Sequence, residues 1–148
     1  MSEQFDEIFD VLVVGSGCGG LTAALTADIS NPAKVLVIEK SHLIGGTSAT
    51  SGGVIWIPDN HLGKEKGAQD SISEAKDYLK ATIPADEFNE PLIDAYLDQG
   101  PKMVKFMQDH TDARYTSLEH YPDYFQDAPG VKLGNRALEP LPVSADVL

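Results

Sequence analysis

Residues 11–25 read VLVVGSGCGGLTAAL, in which glycines spaced as G-x-G-x-x-G separate an apolar run from an alanine-rich stretch. The run at residues 10–14 is β-branched and continuously apolar, which predicts a fully buried parallel strand. The stretch at residues 21–28 is rich in helix formers, and residues 34–40 repeat the strand pattern. Residues 9–40 therefore predict a Rossmann-like βαβ unit and an α/β fold.

The glycine turn inside this unit predicts a dinucleotide site. Gly15 permits the tight turn, Gly17 lets a diphosphate approach the backbone, and Gly20 lets the helix pack near the strand. The amides and the dipole at the start of the helix favour an anion there. Glu39 follows the second strand and is placed to accept hydrogen bonds from an adenosine ribose. A purely structural glycine turn with an exposed glutamate is the alternative.

A second glycine-rich segment at residues 44–53, IGGTSATSGG, favours a flavin over a nicotinamide cofactor. Its amides and hydroxyls are donors suited to a ribityl chain and to a second approach to the diphosphate. The first glycine motif serves either cofactor, and a flexible surface loop also stays open as an interpretation. The predicted FAD-binding residues are Gly15, Ser16, Gly17, Gly19, Gly20, Glu39, Lys40, Ser41, Gly45, Gly46, Thr47, Ser48, Ser51, Gly52 and Gly53.

Residues 70–148 predict a helical and irregular extension. Ser71 and Glu74 form a capping-box pattern, followed by one apolar helical face: Ile72, Ala75, Tyr78 and Leu79. A second helix is predicted from Asn89, with Pro91 in its first turn and a buried stripe of Leu92, Ala95, Tyr96, Met103, Phe106 and Met107. From Thr111 onward the sequence predicts irregular structure.

Net charge and composition limit the kinds of partner that the chain is expected to bind. Eleven basic and 23 acidic residues give a net charge of −12, which disfavours nucleic acid and anionic membranes. Neither a signal peptide nor a run of eighteen apolar residues is visible. One cysteine excludes an internal disulfide, and four histidines show no metal-ligand spacing. We expect a cytoplasmic protein without a metal site.

Four segments carry a family resemblance: VGSGCGGLTAAL, VIEKSHLIGGTSATSGGVIWIP, YPDYFQDAPG and GNRALEP. Together they resemble the 3-ketosteroid Δ1-dehydrogenases of the FAD-binding fumarate reductase group. The first two are shared by the broader group, whereas YPDYF points toward steroids. The resemblance implies an FAD enzyme that removes a proton from C2 and a hydride from C1 of the steroid A-ring, the hydride passing to flavin N5.

The resemblance also implies a role for Tyr124. The tyrosine that this residue matches lies in the active site and assists the base tyrosine, and a phenol can relay a proton if its pKa is moved toward working pH. These dehydrogenases are several times longer than 148 residues. The chain is therefore expected to be the N-terminal part of such an enzyme. Its expected partner is the C-terminal remainder, which would contain the base tyrosine. The resemblance does not identify the electron acceptor.

Other interpretations stay open. A fumarate or succinate oxidoreductase flavoprotein would need cations to bind two carboxylates, and only Arg114 and Arg136 are arginines here. A non-catalytic dinucleotide-binding module is the second alternative. A redox role for Cys18 competes with simple close packing at the turn. Trp56 is expected to pack rather than to catalyse, and His120, Tyr121 and Asp123 are expected to lie in a surface turn without an assigned role.

Overall fold

The computed structural model describes residues 7–31 and 33–144, and the chain divides into two compact units, Met1–Gly53 and Val54–Leu148. We call them unit 1 and unit 2. In unit 1, strand β1 (Val11–Val14), helix α1 (Cys18–Ser30) and strand β2 (Val35–Ile38) are followed by a short 3-10 helix, Gly46–Thr50. The strands are parallel, with Val11 opposite Val35 and Val14 opposite Ile38. The predicted α/β class is confirmed, and its βαβ unit is observed.

The expectation that β1 is fully buried is wrong for the described residues. Leu12 and Val14 are 59% and 76% exposed. Successive side chains of a strand point to opposite faces, and α1 packs against both strands of this two-stranded sheet. One helix covers one face, so every second residue of β1 stays open in the described part of the chain.

Unit 2 contains a three-stranded antiparallel sheet and three helices among its described residues. The elements are β3 (Ile55–Trp56), α2 (His61–Glu65), α3 (Ile72–Thr82), α4 (Glu90–His110), β4 (Tyr115–Ser117) and β5 (Ala137–Pro140). The sheet order is β3-β5-β4, with Ile55 and Ser117 both opposite Leu138. The core beneath it is built from Ile57, Val104 and Leu138.

The irregular structure predicted after Thr111 is wrong at β4 and β5. These strands have three and four residues, too short to show a clear alternation. Each is completed by residues distant in sequence, because β5 pairs with β3 as well as with β4. Their formation therefore depends on tertiary pairing.

The predicted starts of α3 and α4 are confirmed. The Ser71 hydroxyl accepts a hydrogen bond from Glu74 N at 3.2 Å and donates to Glu74 Oε2 at 2.9 Å. The Asn89 side chain accepts from Leu92 N at 3.2 Å. Both helices begin where a side chain satisfies an amide that the helix itself leaves unpaired.

The buried stripe predicted for α4 is wrong at Leu92, Ala95 and Tyr96, whereas Met103 and Phe106 are half-buried and Met107 is buried. The buried residues are Leu97, Gly100, Val104 and Met107, while Leu92, Ala95 and Tyr96 are exposed. A side chain at Gly100 would meet Ile57 at 3.4 Å. Glycine therefore lets Ile57 pack directly on the helix backbone, and this contact selects the face of the helix that is buried.

Candidate functional site

The glycine turn of unit 1 brings α1 close to β1. Gly15 has φ +98°, in the left-handed region, and its amide donates to Ile38 O at 2.7 Å. A Cβ at Gly20 would lie 2.1 Å from Gly15 O. The first and third glycines therefore serve the turn and the helix packing.

The first turn of α1 presents amides that the protein leaves available. Gly17 is the N-cap and, having no side chain, provides no cap hydrogen bond, and the first turn contains no acidic residue. Cys18 N donates to Ser48 Oγ at 3.1 Å. Among the described residues, the amides of Gly19 and Gly20 have no acceptor. Two adjacent unpaired amides at the positive end of a helix are suited to an oxyanion.

Ser16 and Glu39 join the turn to the end of β2. The buried Ser16 donates to Glu39 Oε2 from its hydroxyl at 2.7 Å and from its amide at 3.0 Å. Ser41 N donates to Glu39 Oε1 at 2.9 Å. These hydrogen bonds, that from the Ser16 hydroxyl foremost, lower the pKa of Glu39 to about 2. Glu39 is therefore a carboxylate whose oxygens already accept from the protein.

The second glycine segment adjoins the first. Gly45 N donates to Ser16 Oγ at 2.8 Å, and a Cβ at Gly46 would lie 3.6 Å from Gly17 Cα. Gly45 and Gly46 have φ +102° and +54°, which permits the sharp entry into the 3-10 helix. The two segments predicted separately from the sequence therefore meet inside unit 1.

A cavity of about 390 Å³ lies at this junction. Its lining includes six of the predicted cofactor-binding residues: Gly15, Ser16, Gly17, Glu39, Lys40 and Gly46. Ser41 N instead donates to Glu39, and the hydroxyls of Ser48 and Ser51 accept from Cys18 N and Gly53 N. The remaining predicted residues, Gly19, Gly20, Gly45, Thr47, Gly52 and Gly53, lie outside the lining of this cavity. Whether each of the fifteen contacts the cofactor stays a prediction.

The residues present fit the ADP half of FAD. The cavity is lined by glycine backbone where a diphosphate needs close approach, and free amides stand at the helix start. A carboxylate stands at the end of β2, where a ribose is bound in this kind of unit.

Unit 2 presents Tyr124 to solvent from an anchored segment. Its side chain is 85% exposed, and its neighbours Asp123 and Phe125 are both hydrogen-bonded to the rest of the unit. The Tyr121 phenol shares a hydrogen bond with the Tyr124 phenol, which raises the pKa of Tyr121. Tyr121 therefore holds its proton more firmly than a free tyrosine.

A buried ionic network lies behind this segment. The Arg136 guanidinium is 1% exposed, donates to both oxygens of Asp70 at 2.9 and 2.7 Å, and donates to Asp123 Oδ2 at 2.8 Å. Burial, the largest single influence, would raise the pKa of Asp70, but the hydrogen bonds from Arg136, Asp59 N and Ser71 N together with the charge of Arg136 outweigh it and lower that pKa. The cation also lies 5.4 Å from the Trp56 ring centre.

No sequence pattern predicts this network, and the surface turn expected at Asp123 is wrong, because Asp123 is buried. Trp56 packs as expected, with its ring centre 5.8 Å from that of Tyr78, and its Nε1 donates to Asp123 Oδ1 at 2.6 Å. A buried arginine paired with two aspartates has no local sequence signal, since Asp70 lies 66 residues from Arg136.

An apolar cavity of about 290 Å³ borders Tyr124 within unit 2. Its lining comprises Trp56, Tyr78, Leu79, Thr82, Tyr121, Pro122, Asp123, Tyr124, Phe125 and Ala137. None of these lining residues is a lysine or an arginine. The cavity is suited to an apolar ring system more than to a carboxylate.

Comparison with known proteins settles the family. The FAD binding domain family matches residues 10–138. The chain belongs to this family. The prediction of FAD over a nicotinamide cofactor is thereby confirmed.

The relatives also bear out the resemblance seen in the motifs. The chain is 43% identical over 138 residues to a 3-oxosteroid 1-dehydrogenase of Mycobacterium tuberculosis, covering 93% of this chain and 24% of that protein. It is 41% identical over 132 residues to a 4-oxocyclohexanecarboxylate 2-dehydrogenase of Sinomonas cyclohexanicum, covering 89% and 23%. The chain thus spans about a quarter of the length of the relatives it matches.

A solved structure agrees with them. The 3-ketosteroid Δ1-dehydrogenase of Sterolibacterium denitrificans, in complex with 1,4-androstadiene-3,17-dione, matches with a TM-score of 0.81 and 43% identity. The match covers 90% of this chain and 23% of that one.

Within the described residues, helices that combine the length and hydropathy needed to cross a membrane are absent.

Proposed function

We propose that this chain supplies the FAD-binding and tyrosine-bearing N-terminal part of a 3-ketosteroid Δ1-dehydrogenase. The observation that carries the proposal is the exposed Tyr124 phenol beside an apolar cavity, in a chain 43% identical to enzymes of that activity. By "complete enzyme" we mean this chain together with the remaining part that its relatives contain. The activity belongs to the complete enzyme.

The reaction removes a proton from C2 and a hydride from C1, leaving a 1,2 double bond in the steroid A-ring. FAD, when bound, supplies the hydride acceptor. In unit 1, the free amides of α1 and the carboxylate of Glu39 bind and orient the ADP half of the cofactor. In unit 2, Tyr124 assists the removal of the C2 proton by hydrogen bonding to the base.

Tyr121 supports that role of Tyr124. Because the hydrogen bond between the two phenols raises the pKa of Tyr121, Tyr121 stays a neutral donor while negative charge develops beyond it. The Tyr121 phenol, by donating to the Tyr124 oxygen, stabilises negative charge on that oxygen. Tyr124 in turn donates its own hydrogen bond to the base.

The second candidate is dehydrogenation of a small cyclic ketone that carries a carboxylate, as named for the Sinomonas relative. Both activities, as the names of these relatives describe them, concern a ring that carries a ketone. The apolar cavity beside Tyr124 favours the steroid, because its lining offers no cation to a carboxylate.

The complete enzyme tests the proposal when it is assayed with 4-androstene-3,17-dione and with 4-oxocyclohexanecarboxylate, using dye reduction as the readout. Steroid-dependent reduction is the expected result. Tyr124→Phe keeps the ring and deletes the hydroxyl, so it is expected to lower steroid turnover about 10²- to 10⁴-fold with a normal flavin spectrum.

Two outcomes contradict the proposal. Turnover of the carboxylated ring alone would assign the second candidate. A Tyr124→Phe enzyme with the parent rate would remove the hydroxyl from the reaction. Tyr96→Phe, which deletes an equally phenolic group of α4 whose hydroxyl donates to Trp56 O, is the matched control.

A further inference from the structure

Tyr124 is exposed between two residues that are held in place. Asp123 N donates to Lys132 O and Asp123 Oδ2 accepts from Lys132 N, both at 2.9 Å, so two hydrogen bonds tie residue 123 to residue 132. On the other side, Phe125 N donates to the Tyr78 hydroxyl at 3.2 Å. The backbone is therefore tethered immediately before and after Tyr124.

The anchor at Asp123 extends into the buried network. Its carboxylate also accepts from Trp56 Nε1 at 2.6 Å and from Arg136 at 2.8 Å, and Arg136 is held in turn by Asp70. A charge-assisted network that is fully paired resists rearrangement, because each broken bond would leave a buried polar group unsatisfied.

The anchor at Phe125 shares the same aromatic cluster. Tyr78 belongs to α3 and lies with its ring centre 5.8 Å from that of Trp56 and 5.8 Å from the Arg136 guanidinium carbon. The ring of Tyr78 is held by these contacts, and only its hydroxyl reaches Phe125 N. Removing that hydroxyl releases one tether and leaves the packing.

We propose that Asp123 and Tyr78 are positioning residues for Tyr124, fixing the direction in which its phenol projects by tethering the backbone on each side of it. The inference rests on the proposed function, which gives Tyr124 its part in proton removal. Proton transfer depends steeply on the distance and alignment of donor and acceptor, and a displacement of 1 Å costs about 10²-fold in rate.

The test uses mild variants of the complete enzyme, because truncating Asp123 leaves the buried Arg136 without one partner and is expected to unfold unit 2. Tyr78→Phe removes the tether at Phe125, and Trp56→Phe removes one donor to Asp123. Each is expected to lower kcat about 10- to 100-fold, with KM little changed in Tyr78→Phe, which loses only a hydroxyl. Asn89→Ala, which removes the distant N-cap of α4, is the control of comparable stability loss, with unchanged kcat.

A double-mutant cycle with Tyr124→Phe separates positioning from general destabilisation. If Tyr78 acts through the Tyr124 hydroxyl, Tyr78→Phe lowers kcat in the parent and has no further effect once Tyr124 is phenylalanine. An equal fold-loss in both backgrounds would overturn the proposal.

A measurement independent of turnover keeps the two proposals distinguishable. With 3-fluorotyrosine at position 124, a single ¹⁹F resonance shifted from that of free fluorotyrosine is expected, moving toward the free value in Tyr78→Phe. An unmoved resonance would refute positioning even in an active enzyme. A moved resonance in an enzyme inactive on steroids would support positioning of Tyr124 and refute the proposed function alone.

Discussion

Unit 1 and unit 2 build their candidate sites from different parts of the chain. In unit 1 the site is made of backbone: glycines that admit a ligand, amides at the start of α1 and one carboxylate. In unit 2 it is made of side chains held by other side chains, with Arg136 between Asp70 and Asp123. A backbone site tolerates side-chain substitution wherever no glycine is required. A buried side-chain network is destabilised when any one of its members is replaced.

The largest effect is expected for Arg136→Met, which leaves Asp70 and the buried Asp123 without their cation. The free energy of unfolding of unit 2 should fall by about 3–5 kcal/mol. Amide hydrogen exchange of β5 and α3 would measure it, with FAD affinity followed by flavin fluorescence. Lys105→Met, which removes an exposed pair with Asp109, should cost less than about 1 kcal/mol. A similar loss in both variants would contradict the special sensitivity of the buried network of unit 2.

Gly17→Val is expected to lower FAD affinity at least about 100-fold while α1 stays folded. Gly17 has φ −67°, and the atom nearest to an added Cβ is Ser48 Oγ at 4.0 Å, so the protein accommodates the side chain and the diphosphate does not. Gly20→Ala should instead unfold unit 1, because its Cβ would lie 2.1 Å from Gly15 O. Titration with FAD and circular dichroism distinguish the two. A folded Gly17→Val protein with parent affinity would make this glycine purely structural.

A smaller effect is expected for Glu39→Gln, with FAD affinity lowered about 10-fold. The amide keeps the shape but replaces one accepting oxygen with a donor, facing either Ser16 or Ser41. Calorimetric titration would measure the loss, and Asp28→Asn in α1, which removes an exposed negative charge outside the cavity lining, is the matched control for charge alone. Equal losses in the two variants would show that the ribose acceptor is misassigned.

The pH dependence of stability tests whether Glu39 is a carboxylate with a lowered pKa. The folded pKa of Glu39 is about 2, below the ordinary value of 4.5, so its contribution to stability is fully present above about pH 4.5. This contribution to stability is lost as the pH falls from about 4.5 through about 2. The stability difference between the parent and Glu39→Gln should therefore stay constant from pH 7 to about pH 5 in urea unfolding. A difference that shrinks already at pH 6 would contradict the carboxylate described here.

The sequence by itself determined the βαβ unit, the close meeting of helix and turn at Gly20, and the N-caps Ser71 and Asn89. The turn and the N-caps depend on residues at most five positions apart, and β1 and β2, although they pair across 24 residues, each carry their own local apolar pattern. The choice of FAD came from the composition of the second glycine segment and from resemblance, and the family match agrees.

Only the tertiary structure decided the buried face of α4, the β3-β5-β4 sheet and the pairing of Asp70, Asp123 and Arg136. The sequence allowed more than one face of α4 to be apolar, and the contact of Ile57 with Gly100 selected one. An arginine and an aspartate 66 residues apart carry no signal of their pairing until the chain between them has folded. The direction proposed for the Tyr124 phenol also depends on tertiary structure, because the hydrogen bonds that tether its neighbours come from Tyr78 and Lys132 on other segments.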